Sequence, residues 1–183
     1  TMIGGFLSAL NIVKEKEAGT IEQINVTPIK KHHFILGKLI PFWLLGNIVF
    51  TLGLLVSWVV YGIVPQGNIG VLYLFIGLYL PAVLGFGLLV STFCETQQQA
   101  MYILFFFMMI FILMGGLFTS IESMPEWARI VSRFNPVSYL IEVLRMVVMK
   151  GSSLRHVWGH LATIAVFSLV LNGWAVINYR KRV

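Results

Sequence analysis

Three stretches of this chain carry no Asp, Glu, Lys or Arg: Leu39–Cys94, Thr96–Ile121 and His156–Tyr179. About 20 apolar residues cross the roughly 30 Å hydrocarbon layer of a bilayer. The first stretch is long enough for two spans and each of the others for one. A water-soluble core helix rarely runs so far without a charge. Only 11% of the residues are charged and 58% are apolar, against about 25% charged in a soluble domain. A soluble fold of this size could not hide that much apolar surface. The class that follows is an all-α integral membrane protein.

The formal net charge is +6. Nucleic acid is a poor account of it, because the basic residues are spread over the flanks of the spans and form no aromatic-interleaved patch. Lipid headgroups and topology explain them better. Cys94 is the sole cysteine, so it forms no internal disulfide and supplies no metal cluster. The opening TMIGGFLSALNIV lacks a basic leader and an Ala-x-Ala site, so it does not read as a signal peptide. Residues 1–13 read instead as the end of a span that begins before the sequence does.

The longest polar stretch is KEKEAGTIEQINVTPIKKHHF, Lys14 to Phe34. Thr20 can cap a helix with Gln23 completing a capping box. Glu22 lies in the first turn, where negative charge suits the helix dipole. Ile21 and Ile24 share a face, and Pro28 turns Thr27 away from the α region. This predicts a helix over about 21–26, too short to be stable without packing. The next span is expected from Phe34 to Tyr61, with Trp58 and Tyr61 as an interfacial belt. GIVPQGNIG is a turn. A span from Val71 to Phe93 follows, with Pro81, Gly85 and Gly87 in structural roles. CETQQQA is a short loop. The span from Met101 to Phe118 is rich in Phe and Met, and packing accounts for it better than a binding stripe.

The region 119–151 differs. Ser123 with Glu126 makes a second capping box, with Pro125 in the first turn, predicting a helix over 124–133. Asn135 caps another, with Pro136 at its first position, running to about Lys150 where Gly151 stops it. Glu142 and Arg145 are placed to pair within it. Two short helices flanked by charge imply a re-entrant or interfacial hairpin. The last span is expected from Val157 to Tyr179.

Alternation of spans places Lys14–Lys38, the 94–99 loop and the C-terminus on one side. The 62–70 turn and 119–155 fall on the other. The first side carries Lys14, Lys16, Lys30, Lys31, Lys38, Arg180, Lys181 and Arg182; the second carries Arg129, Arg133, Arg145, Lys150 and Arg155. The excess of basic residues makes the first side cytoplasmic.

No nucleophile–base arrangement can be assembled, and the chain has no Asp. His156 and His160 are spaced as a helical metal pair, but no third ligand is placed, so an interface role is favoured. His32 and His33 diverge on a helix. Ser123 and Ser138 read as cap and packing residues. There is no GxxxxGK[ST] phosphate loop, so any ATP is bound by another chain or by a part outside this sequence. No span has an acidic residue at its centre, which disfavours a self-contained ion-coupled carrier.

KEKEAGTIEQINVTPI resembles the cytoplasmic signature of ABC-2 type transporter permeases, through Glu17, Gly19, Thr20, Ile21, Glu22, Gln23, Thr27 and Pro28. GGLFTSIESMPEW and FNPVSYLIEVLR resemble the outer hairpin before the family's last span, the latter through Asn135, Pro136, Tyr139, Glu142 and Arg145. The resemblance covers essentially the whole chain. It implies a type V exporter-like transmembrane domain over 1–183, holding the end of the second span through the sixth, with a coupling helix at about 20–27. It implies a cytoplasmic ATP-binding cassette subunit as partner, and ATP and Mg held by that subunit. A second permease copy or homologue, and in a bacterial inner membrane a periplasmic adaptor, complete the expected set. The resemblance selects no substrate, and the aromatic and Met-rich 101–118 span favours a hydrophobic or amphipathic solute. A self-contained carrier or channel, and a scaffold that moves nothing, are the competing readings. An intramembrane enzyme is disfavoured by the missing acid–base groups.

Overall fold

The computed structural model describes residues 1–19 and 31–178. In chain order they form α1 (Met2–Glu17), α2 (Lys31–Tyr61), α3 (Ile69–Phe93), α4 (Gln97–Leu113), a 3₁₀ turn (Ile121–Ser123), α5 (Glu126–Arg133), α6 (Pro136–Leu144), a π turn (Arg145–Met149) and α7 (Leu154–Asn178). Ile35–Tyr61, Ile69–Phe93 and Leu154–Asn178 are long and apolar enough to cross a membrane. The chain is a multi-pass, all-α membrane protein.

α3 is the central element. It buries more than half of its span, whereas α2 buries almost none, and α7, α1, α2 and α6 pack around it. Phe75, Tyr79, Val83 and Leu88 of α3 are all but inaccessible. Lipid tails are as apolar as these side chains, so burial alone does not hold spans together; close packing and interhelical hydrogen bonds do, at an average of about 0.6 kcal/mol per bond. Both devices occur here. A Cβ at Gly87 would overlap the carbonyl of Gly5, so α1 and α3 cross backbone against backbone. Pro81 has no N–H to offer the Gly77 carbonyl four residues back. Trp43 of α2 supplies its indole N–H to that carbonyl at 3.0 Å. Asn172 of α7 donates to the Pro81 carbonyl at 2.9 Å. The proline thus frees one acceptor, the Gly77 carbonyl, that a neighbouring helix uses.

Several boundaries differ from the sequence reading. α1 does not stop at residue 13 but continues through the charged KEKE to Glu17, where Glu15, Lys16 and Glu17 reach partners on adjoining helices. α4 begins at Gln97 and not Met101, since Thr96 caps it by accepting from the Gln99 amide at 3.2 Å. It ends at Leu113 and not Phe118: Gly116 has φ +84°, in the left-handed region that ends helices. Its 17 residues reach about 26 Å, and only Ala100, Leu104 and Met108 of it are buried.

The expected Ser123–Glu126 capping box does not form. The Ser123 hydroxyl turns back to the Ser120 carbonyl at 2.8 Å inside the 3₁₀ turn, and α5 starts at Glu126 behind Pro125. Asn135 does cap α6, accepting from the Val137 amide at 2.9 Å, with Pro136 at the first position. Regular α geometry ends at Leu144, and the π turn carries the backbone on toward Lys150. Gly151 at φ +61° then closes it.

Candidate functional site at the two ends of the bundle

Two clusters of polar groups lie at opposite ends of the spans. The first is the last turn of α1, where three consecutive residues engage three different helices. Glu15 pairs with Lys38 of α2 at 2.5 Å. Lys16 donates its ammonium to the carbonyls of Ser91, Thr92 (3.3 Å) and Cys94 (3.1 Å) at the end of α3. Glu17 accepts from the Gln97 amide at 2.7 Å and from the Gln97 side chain, at the start of α4.

The signs match the helix ends they touch. The last carbonyls of a helix have no internal partner and carry partial negative charge; the first amides lack partners and carry partial positive charge. α3 ends where α4 begins, so both kinds of end lie side by side. Lys16 serves the carbonyls and Glu17 the amide. The two bonds from Gln97, the side chain's first, hold the Glu17 carboxyl below the ordinary carboxylate range.

Gly19, with φ +70°, ends the described part of this segment. Thr20, Ile21, Ile24, Glu22, Gln23, Thr27 and Pro28, and with them the predicted 21–26 helix, lie outside the described residues. The described chain resumes at Lys31, so this segment is flanked by the Glu15–Lys38 pair.

The second cluster is the region 119–151 folded onto the end of α4. Asn135 donates to the Phe111 carbonyl at 2.7 Å, Ser132 to Met114 at 2.9 Å, and Arg145 to Gly116 at 2.9 Å. Ser138 reaches the same Met114 carbonyl at 3.5 Å. The unpaired carbonyls after α4 are therefore taken by side chains of the hairpin. The π turn's own free carbonyls, Val147 and Val148, accept from the Gly67 and Gln66 amides of the α2–α3 turn at 3.0 and 3.2 Å. The 62–70 turn and the hairpin thus share one end. A cleft of about 650 Å³ opens there between Ser57, Ile63 and Gln66 on one wall and Leu144, Arg145 and Met149 on the other.

Glu142 and Arg145 do not pair with each other. Arg145 faces the Gly116 carbonyl, and Glu142 meets His160 of α7 at 3.1 Å. Tyr139 donates to the Arg133 carbonyl at 2.8 Å and lays its ring against His160 and Phe167. His156 turns to Ser153 at 3.2 Å, so the two histidines serve different partners. No group of three or more His, Cys, Asp or Glu able to hold a metal occurs among the described residues.

Sequence reasoning overlooked Lys16, Lys38, Gln97 and Trp43. Thr96 and Gln99 form a Thr-x-x-Gln box, the same signal read at Thr20–Gln23, and could have been found. The acceptor freed by Pro81 was also implied by the residue type. The donors that fill these places come from distant parts of the chain and leave no local mark.

Residues 1–177 match the family described as "ABC-2 family transporter protein". The chain is 30% identical over 184 residues to the "Probable multidrug ABC transporter permease YbhR" of Escherichia coli K12, covering 100% of this chain and 50% of the relative. It is 33% identical over 153 residues to YbhS, named in the same words, from the same strain, covering 83% of this chain and 41% of the relative. The "Inner membrane transport permease YhhJ" of that strain is 24% identical over 187 residues, covering 100% and 49%. The chain spans about half the length of these relatives. No solved structure matches it at a significant level.

Proposed function

Because the chain belongs to the ABC-2 family of transporter proteins, we propose that it forms part of the membrane permease of an ATP-driven exporter, with the ATP and Mg held by a cytoplasmic ATP-binding cassette subunit. The observation that carries the reading is the last turn of α1. It ties to α2, α3 and α4 beside the segment 20–30, where a partner's push would reach the spans. Glu17, Gly19, Thr20, Ile21, Glu22, Gln23 and Pro28 belong to the coupling element of this reading, with a helix at about 20–27. The whole of 1–183 is then one transmembrane permease domain.

In this arrangement the α1 turn and the C-terminus face the cytoplasm of a bacterial inner membrane. The hairpin at 119–151 is re-entrant on the outer side, held by Asn135, Pro136, Tyr139, Glu142 and Arg145. A second permease copy or homologue completes the pathway, with a periplasmic adaptor where the exporter needs one. The solute is hydrophobic or amphipathic, in keeping with the word "multidrug" in the names of YbhR and YbhS. ATP-driven closure of the partner shifts the spans between two packings.

The test is ATPase activity of the full-length permease with its co-purified ATP-binding subunit in lipid vesicles. Wild type is compared with Glu22→Lys and Thr20→Pro. Co-purification of the subunit, with hydrolysis in the variants no longer responsive to added amphiphiles, is the expected result. A permease that brings no ATP-binding subunit, and whose behaviour ignores both changes, sinks the reading.

A further inference from the structure

A single short segment can drive several spans only if something stiff joins it to them. We propose that the last turn of α1 is that joint: Glu15, Lys16 and Glu17 lock the segment's flanks to α2, α3 and α4, so that displacement of 20–30 moves all three together. The inference rests on the reading of 20–30 as the coupling segment. Its support is geometric. The Glu15–Lys38 pair at 2.5 Å joins a residue before the segment to one after it. The segment's two roots are therefore one body. Lys16 and Glu17 then fasten that body to the adjoining ends of α3 and α4.

Charge makes each fastening specific. An ammonium shared among three carbonyls and a carboxylate accepting two N–H groups are charge-assisted contacts, stronger than neutral ones. The side chains of Glu15 and Lys38 are only 29% and 16% exposed, so the pair is partly shielded from screening by salt. Half-buried Lys16 occupies the carbonyl end of α3, and the exposed Glu17 is tied to the amide that opens α4.

The pair offers a reciprocal test. The full-length permease with its ATP-binding subunit would carry nitroxide labels at Leu36→Cys and Ile177→Cys, two exposed positions on α2 beside the joint and on α7, which the joint does not fasten, with other cysteines replaced. The distance between labels would be measured in lipid vesicles with and without ATP and vanadate. Wild type should change its distance distribution on trapping. Glu15→Lys and Lys38→Glu should each cut the shifted fraction by about fivefold or more, while the ATP-binding subunit still co-purifies and hydrolyses ATP. The double exchange, which restores the pair with reversed polarity, should recover the response. Glu15→Gln keeps the shape without the charge and replaces Glu15→Lys if that protein misassembles; it too should lose the response. Unchanged responses in the single variants, or a double exchange that assembles yet stays silent, overturn the joint. A wild-type complex that hydrolyses ATP with no change at these labels also overturns it. Absence of any ATP-binding subunit overturns the coupling reading beneath it.

Discussion

The two ends of the bundle solve one problem with different chemistry. At each, helix ends leave backbone groups without partners. At the α1 turn they are met by charged side chains, Lys16 on the carbonyls of α3 and Glu17 on the amide of α4. At the hairpin they are met mainly by neutral amides and hydroxyls, Asn135 and Ser132 on the carbonyls that end α4. One end is thus stiff through charge and answers to pH and salt. The other is held mainly by neutral contacts, with Arg145 on Gly116 and Glu142 on His160 as its charged ones, and depends less on either.

The sharpest way to break the contrast is Asn135→Ala. Asn135 is 2% exposed and both caps α6 and donates to Phe111. Losing a cap and leaving a buried acceptor unmet should cost about 2–3 kcal/mol. The thermal unfolding midpoint in detergent should fall accordingly, by the same amount at low and high salt. A loss that shrinks as salt rises would contradict the neutral character of that end.

Lys16→Met should come next. It keeps the aliphatic stem and removes the ammonium from three carbonyls, at a cost of about 1–2 kcal/mol, discounted because the site is only partly buried. Amide exchange at the end of α3 should speed up, and the hairpin should not change. Protection lost equally at both ends would mean that the ends are one cooperative unit.

The smallest effect is a pH dependence at Glu17. Its carboxyl is held below the ordinary range by Gln97. The contact therefore contributes fully above the unfolded carboxyl's range and is lost as pH falls through the depressed folded value. Acidification should lower the protection factor of the Gln97 amide, taken relative to its intrinsic exchange rate at each pH, in wild type and leave that factor flat in Glu17→Gln. An identical acid response in both would remove Glu17 as the cause.

Much of this was legible without coordinates. Asn135-Pro136 announced its helix because a cap and a pre-set φ act within three residues. Gly151 announced the stop because backbone conformation is a local property. Ser123–Glu126 misled for the opposite reason: the hydroxyl had a competing acceptor at Ser120, and a short-range signal cannot rank two short-range partners. Glu142 and Arg145 were correctly spaced to meet, yet each found a better partner elsewhere.

By itself the sequence determined that the chain is helical and membrane-spanning, roughly where the spans run, and where polar segments interrupt them. Hydropathy, capping and charge spacing act over one helix length, so a linear string carries them. Only the tertiary structure decided that α3 is central, that Trp43 answers the gap left by Pro81, and that Glu15, Lys16 and Glu17 each engage a different helix. Those pairings join residues tens of positions apart. Their selection depends on which unmet donor and acceptor the packed spans bring within 3 Å, as with Trp43 and Gly77, and no local pattern encodes that.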